Sequence, residues 1–347
     1  MKSKARKFIC GILAYLLACL MFDVCLTVVS LVGPMGVFRL ISLVYLSNFI
    51  AGPLIATVYS IYRIRKHADY ARGAGIMAVS LVLFSLFVYS TFIEAGSVRV
   101  YEHKVPCDQL HGNLTIAHIS DIQSEHIGSY EEKVIEKLAR LNPDIIFHTG
   151  DLLQIQDAEV CQKELTKLAE LFKRLEPRYG LYNVQGNLDS LDILKAFDAA
   201  SGVKTLVGQS VIIQTKDGVL DVMGLSFLKS KKGCRERIVK WLARSDNSCK
   251  ILLGHTPDFV LDITDLDIDL CLAGHTHGGQ VRIPFVGPLL NSSRVPKKWT
   301  SGLRKLGGLH LNVSSGIGTE HYAGLLPIRF NCPPSVTIIH VGRDLKE

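Results

Sequence analysis

The sequence predicts a layered α/β domain preceded by an α-helical transmembrane region. Three observations predict it. Long apolar runs fill the first hundred residues. A basic excess is confined to the same part of the chain. Beyond residue 106, strand-like and helix-like segments alternate, and the strand-like ones end on Asp, Asn or His. Residues 1–105 are expected to form a transmembrane anchor of three helices, and 106–347 a catalytic domain.

The anchor comes first. After Lys2, Lys4, Arg6 and Lys7, residues 8–32 are almost wholly apolar, too long for the core of a signal peptide. Residues 40–62 and 74–93 are similar. A helix crosses a bilayer with about 20 apolar residues, so each run suffices. Asp23 and Pro53 interrupt the runs and are expected to face protein rather than lipid. A polar link carrying Arg63, Arg65, Lys66 and Arg72 joins the second and third runs. With the basic tail it makes two cytoplasmic segments, and three spans then place the second domain outside the cytoplasm.

Charge and cysteines bound the rest. Residues 1–105 hold 11 Lys/Arg against 4 Asp/Glu, whereas 106–347 hold 28 of each. A neutral catalytic domain argues against a nucleic-acid partner, whose phosphates select basic surfaces. None of the nine cysteines forms a Cys-x-x-Cys pair. Their scatter suits free thiols in a reducing compartment, which pulls against the topology read from the basic segments.

Within the second domain, strands are expected at 114–120, 144–148, 180–185, 205–215, 219–223, 250–253, 269–273, 309–314 and 335–341. Helices are expected at 129–141 and 158–175, where apolar residues recur at helical spacing. Asp217-Gly218 signals a hairpin.

The strand ends carry the chemistry. Ser120-Asp121-Ile122-Gln123, Gly150-Asp151, Gly186-Asn187-Leu188-Asp189, Gly254-His255 and Gly274-His275-Thr276-His277 each follow an expected strand. Ligands bind at the carboxyl ends of strands in such folds. Two divalent cations about 3.5–4 Å apart need oxygen and imidazole donors and a carboxylate to bridge them. Asp, Asn and His supply donors suited to Mn, Fe or Zn. The neighbouring glycines are expected to let the backbone turn sharply after each strand.

This constellation resembles the calcineurin-like metallophosphoesterase superfamily over residues 112–342, and within it the membrane-anchored bacterial branch. Val313–Thr319 and Pro327-Ile328-Arg329-Phe330 resemble that branch's closing strands. The resemblance implies two mixed sheets sandwiched between helices. It implies that Asp121, Gln123 and His277 hold one cation, that Asn187, His255 and His275 hold the other, and that Asp151 bridges them. Manganese is the expected metal, and Asp151, Asn187 and Asp189 are expected to serve catalysis.

Two positions depart from the family pattern. Gln123 stands where the histidine of Asp-x-His is usual, with His126, three residues on, as a substitute donor if the loop bends, and Leu188 stands where a leaving-group histidine is usual. A phosphate-anhydride leaving group needs that histidine less. The architecture resembles a chlamydial UDP-2,3-diacylglucosamine pyrophosphatase. This implies cleavage to UMP and a lipid monosaccharide phosphate in lipid A synthesis, at a bacterial inner membrane. The alternatives are a membrane phosphodiesterase or phosphatase acting on another lipid, and a scaffold that has lost catalysis at Gln123 and Leu188.

The remaining charged groups divide. Lys229, Lys231, Lys232, Arg235, Arg237 and Lys240 read as a solvated helix face or a phosphate contact. Arg294, Lys297, Lys298, Arg304 and Lys305, interleaved with Val295, Trp299 and Leu303, suit a membrane interface or a cap over the site. His118, His148, His310, His321 and His340 read as packing or surface histidines; His321 and Arg329 lie in the family-like tail, from which they could approach the site, and neither is counted among its residues.

Overall fold

The computed structural model describes residues 2–32, 43–244, 247–320, 327–343 and 345. It divides into one unit of Met1–Ile93 with His321–Pro327, and another of Glu94–Glu320 with Ile328–Glu347.

The first unit is helical: α1 (Lys2–Val32), α2 (Gly52–His67) and α3 (Tyr70–Val88). Spans Ser3–Val28, Leu43–His67 and Tyr70–Glu94 are each long and apolar enough to cross a membrane. Their outer faces keep Leu17, Leu20, Ile55, Val58 and Leu81 exposed, while Tyr15, Ala56 and Ile76 pack inward. Helices apolar on every side suit a lipid solvent. Asp23 accepts a hydrogen bond from the Asn48 amide at 2.7 Å, so its carboxylate meets protein, as expected. Pro53 follows a π-helical turn at Ser47–Ala51 inside the span Leu43–His67, and that turn takes up the backbone irregularity its missing N–H creates. The expected polar link is shorter than read. Helix α2 runs through Arg63, Arg65 and Lys66, and only Ala68 and Asp69 precede α3. Asp69 pairs with Arg63 at 2.8 Å.

In the second unit, six strands form one sheet in the order β1-β14-β2-β3-β4-β5. They are β1 (Arg99–Pro106), β2 (Leu114–Ile119), β3 (Ile145–His148), β4 (Leu181–Asn183), β5 (Lys204–Thr205) and β14 (Ser335–Gly342). Six more form a second sheet, ordered β12-β13-β9-β8-β7-β6. These are β6 (Ser210–Thr215), β7 (Gly218–Gly224), β8 (Cys249–Leu253), β9 (Leu270–Ala273), β12 (Gly302–Leu306) and β13 (Leu309–Val313). Between them in sequence, β10 (Arg282–Ile283) and β11 (Gly287–Pro288) make a separate small hairpin.

Alternation along each strand builds the layers. Leu114, Ile116, Ile145 and Phe147 of the first sheet meet Leu220, Val222, Ile251, Leu253, Leu270 and Leu272 of the second in one core. Ala117, Ile119 and Ile146 face the other way, against α4 (Ser129–Leu141), α5 (Ala158–Phe172) and α6 (Leu191–Ser201). Leu252, Cys271 and Leu311 cover the outer face of the second sheet against Ile238 and Trp241 of a helix at Arg235–Leu242. Both faces of the central strands are therefore buried, which is why they read as unbroken apolar runs. The result is two mixed sheets between helical layers.

The structure moves two boundaries. Strand β1 pairs with β14 in parallel over its full length, from Arg99↔Ser335 to Pro106↔Gly342. The second unit therefore starts before the expected 105/106 division. The expected strand 205–215 splits in two, with Gly208 at φ +72° in the break.

Strands β2, β3, β4 and β5 run parallel, as do β7, β8, β9 and β13. Each set aims its carboxyl ends at the same edge, and the chemistry-bearing loops leave from there.

Candidate metal centre

Asp121 and Gln123 follow β2, Asp151 follows β3 and Asn187 follows β4. His255 follows β8, and His275 and His277 follow β9. Most of these side chains are buried, with Asp121 and His255 at 0% exposure. Five of the seven residues sit in the left-handed region: Asp121 (φ 50°), Gln123 (45°), Asp151 (60°), His275 (67°) and His277 (47°). Such conformations cost about 1–3 kcal/mol each and persist where the surroundings fix them for function. The expectation that glycine makes these turns is corrected in part. At β3 both Gly150 (φ 95°) and Asp151 turn, but at β9 the turn falls on His275 and not on Gly274. Gly274 instead supplies room, since a Cβ there would strike Ser120 Oγ and Asp121 Oδ2. Gly186 does the same for the Asp151 carboxylate.

One cluster gathers acceptors. His255 Nδ1 lies 2.7 Å from the Thr149 carbonyl, so this nitrogen donates to it and Nε2 is the position left for a cation or a second proton. Nε2 faces Asn187 Oδ1 at 3.0 Å, Asp151 Oδ2 at 3.3 Å and His275 Nδ1 at 3.2 Å. Asp151, His255 and His275 place ligand atoms within 4.8 Å of one another. Acceptors converging on one point repel unless a cation or a proton stands among them.

The ionisation shows the same demand. Burial opposes a charged His255, yet the Asp151 and Asp121 carboxylates raise it to about 10. Burial also opposes ionisation of Asp151, but His255 and the Leu188 N–H hold it below the usual carboxylate range. Burial and repulsion from Asp151 push Asp121 up to about 7. His275 falls to about 4 through burial and the nearby His255, and stays neutral. The site therefore stabilises positive charge at its centre.

The second cluster adjoins it. His277 Nε2 lies 3.6 Å from Asp121 Oδ1, and the His275 backbone N–H donates to both Asp121 oxygens at 3.1 Å. Burial and the Arg329 guanidinium keep His277 neutral, as a ligand imidazole must be. Gln123 is buried and its Oε1 has no hydrogen-bond partner among the described residues. A buried unsatisfied carbonyl costs about 1–3 kcal/mol, a penalty that a hard cation removes. His126 is exposed and does not replace it. The donors present fit two divalent cations: Asp121, Gln123, Asp151 and His277 for one, and Asp151, Asn187, His255 and His275 for the other.

Asp189 has a different role from the one expected. Its Oδ2 accepts the Asp151 and Gly186 N–H groups at 2.8 Å each, and its Oδ1 accepts the Leu152 N–H at 3.0 Å. Both oxygens are turned to backbone, so Asp189 positions Asp151 and does not face the reacting centre.

Sequence reading missed the layer behind the ligands. Asn312 Nδ2 donates to His118 Nδ1 at 2.6 Å, and His118 Nε2 meets Thr149 Oγ1 at 3.0 Å. The Thr149 carbonyl then orients His255. His148 Nδ1 lies 2.7 Å from Asn183 Oδ1. Burial depresses His118 to about 3 and His148 to about 4, so both stay neutral. Arg329 is fully buried and places a terminal nitrogen 3.4 Å from His277 Nδ1. It also donates to the Ser315, Gly318 and Cys332 carbonyls. Its only sequence signal was the family-like tail. His321 lies outside the described residues. Phe227 sets its ring 6.0 Å from His255 and 6.3 Å from His275, an apolar wall beside the cluster.

Comparison with known proteins agrees with this geometry. A family model described as calcineurin-like phosphoesterase matches residues 114–279. The uncharacterized metallophosphoesterase YkuE of Bacillus subtilis is 28% identical over 72% of this chain and 87% of its own length. Phosphodiesterase YaeI of Escherichia coli is 30% identical over 41% of this chain and 48% of its own. A zebrafish (Danio rerio) transmembrane protein with metallophosphoesterase domain is 26% identical over 73% of this chain and 60% of its own. The matched segment contains all seven candidate donors, the last of them, His277, two residues before its end. Residues 114–279 of this chain thus match the calcineurin-like phosphoesterase family, and the similarity to proteins named metallophosphoesterases indicates a metal-dependent hydrolase of phosphoesters.

Proposed function

We propose that this chain hydrolyses a phosphoanhydride carried by a membrane lipid, and that its substrate is UDP-2,3-diacylglucosamine, cleaved to UMP and a lipid monosaccharide phosphate. The observation that carries this reading is Leu188. Its side chain is 37% exposed at the rim of the cluster, and its N–H donates to Asp151 Oδ1 at 2.8 Å. The loop thus places an apolar group where a proton donor to the leaving group is usual. A phosphate leaving group departs without that proton, whereas an alkoxide does not. The apolar N-terminal helices support a lipid-borne substrate.

Bound divalent cations, with manganese as the proposed metal, supply Lewis acidity and neutralise charge on phosphoryl oxygens. The chain's own residues hold and shape that site. Asp189 fixes the Asp151 loop. Thr149 selects the His255 tautomer that leaves Nε2 free. Arg329 holds His277 neutral and adds positive potential beside Asp121. Phe227 keeps water from one side of the imidazole pair.

A second reading, hydrolysis of a lipid phosphodiester, is favoured by the similarity to a protein named phosphodiesterase. One experiment separates them. Detergent-purified protein with Mn²⁺ is incubated with UDP-2,3-diacylglucosamine, and UMP is followed by mass spectrometry against Asp151→Asn. UMP from the wild type alone supports the anhydride reading. Hydrolysis of bis-p-nitrophenyl phosphate without UMP moves the assignment to the phosphodiester. A reagent that reaches thiols from one side of the membrane only, read at a cysteine introduced beside the exposed Asp108, assigns the side on which the domain lies.

A further inference from the structure

Five residues beyond His277 the chain makes the β10–β11 hairpin, and its tip is apolar and exposed. Phe285 is 108% exposed, Val286 66%, Leu289 50%, Leu290 45% and Ile283 41%. A single exposed apolar residue needs no explanation, but five within eight positions form a patch that water penalises. Phe285 also holds φ +67°, which is costly for an aromatic residue and throws its ring outward.

The hairpin is hydrogen-bonded to the loop that carries His277. The Arg282 guanidinium donates to the Gly278 carbonyl at 2.7 Å and to Thr300 Oγ1 at 3.2 Å. Gly279 carries no Cβ because Pro288 of the hairpin packs against it. At the hairpin base, Phe330 N–H donates to the Gln280 carbonyl and Arg282 N–H to the Phe330 carbonyl, at 2.9 Å each. The next two residues, Asn331 and Cys332, donate their N–H groups to the buried Glu94 carboxylate at 2.9 and 2.7 Å. Glu94 is the first residue of the catalytic unit and the last of the third apolar span.

Exposed Lys297 and Lys298 follow the hairpin, and Lys297 Nζ lies 3.4 Å from the Leu289 carbonyl. The apolar residues first read as a membrane interface in this region do not serve: Val295 is 2% exposed and Trp299 packs against the core. Apolar side chains at the tip and lysines at the flank match the hydrocarbon and the anionic headgroups of a bilayer.

We propose that the 282–290 hairpin is an interfacial wedge that seats Phe285 and Val286 in the hydrocarbon of the bilayer carrying the N-terminal helices, and so holds the metal-bearing edge of the domain at the lipid surface. This does not depend on which phosphate bond is cut. The test uses the full chain in bilayer nanodiscs whose phospholipids carry brominated acyl chains. Phe285→Trp, with the wild-type tryptophan signal subtracted, is expected to lose at least half its fluorescence relative to unbrominated lipid. Ile212→Trp, an exposed site on edge strand β6, is expected to lose none. Val286→Trp serves in the same assay if Phe285→Trp does not fold. Emission from the hairpin tryptophan that brominated lipid leaves unchanged overturns the proposal. That holds whether the emission is red-shifted, as in water, or blue-shifted, as against another protein.

Discussion

Asp189→Asn should uncouple the Asp151 loop from its support without touching a ligand. The carboxylate accepts three backbone N–H groups, two on Oδ2 and one on Oδ1. The amide keeps one acceptor oxygen and turns an NH₂ toward the remaining donor. With its oxygen on the Asp151 and Gly186 N–H groups, the NH₂ confronts the N–H of Leu152, which is 0% exposed. A buried donor left unsatisfied costs about 1–3 kcal/mol. Two hydrogen bonds also become neutral rather than charge-assisted, and the charged kind is roughly twice as strong. The loss is set against relief of repulsion, because burial and Asp151 already push Asp189 up to about 6. The net expectation is about 2 kcal/mol, or roughly a 4–8 °C fall in melting temperature for a domain of this size. Metal affinity should fall about tenfold or more, because a ligand held by the loop loses its orientation. Near-ultraviolet circular dichroism on heating gives the first quantity and metal titration the second. A variant that melts within a degree of the wild type and binds metal equally would refute the positioning role.

Leu188→His should restore a proton donor, raising hydrolysis of alkyl phosphodiesters at least tenfold while leaving the anhydride rate nearly unchanged; steady-state rates on the two substrate classes decide it. Gly186→Ala places a methyl on the Asp151 carboxylate and should abolish metal binding with little change in secondary structure, read by metal analysis and far-ultraviolet dichroism. Metal binding should release protons, because Asp121 at about 7 and His255 at about 10 hold them when no cation is present. Calorimetry in buffers of different ionisation enthalpy should find about two protons released at pH 6 and about one at pH 8, with affinity rising across that interval. Lys250→Met leaves Asp221 buried with the Trp241 N–H as its remaining side-chain partner among the described residues and should cost about 3 kcal/mol in urea unfolding.

Legibility followed sequence distance. The helix Ser129–Leu141 was readable because its own residues place Val134, Ile135 and Leu138 on one face. The ligand loops were readable because each donor sits within four residues of an apolar strand end. Strand β1 was not, since Arg-Val-Tyr-Glu-His-Lys-Val-Pro lies at a sheet edge with most side chains in solvent and carries no apolar run. Helix α6, capped by Ser190 through the Ile193 N–H, was faint because it buries only Leu194 and Phe197 and so carries a short apolar stripe. The layer behind the ligands was invisible for a different reason. Asn312 reaches His118 across 194 residues and Arg329 reaches His277 across 52, and no local pattern records such pairings. The reverse failure is equally physical. The interleaved charges at 294–305 resembled an interface by composition, but Val295 turns inward, and the exposed apolar residues lie a few positions earlier.

The central claim is that Asp121, Gln123, Asp151, Asn187, His255, His275 and His277 hold two cations that share Asp151. Metal content per chain, measured by inductively coupled plasma mass spectrometry on wild type and Asp151→Asn after loading with Mn²⁺ and desalting, tests it most directly. The account predicts two ions per wild-type chain and at most one, weakly held, in the variant. A wild type that retains none, or a variant that retains as many as the wild type, would contradict it.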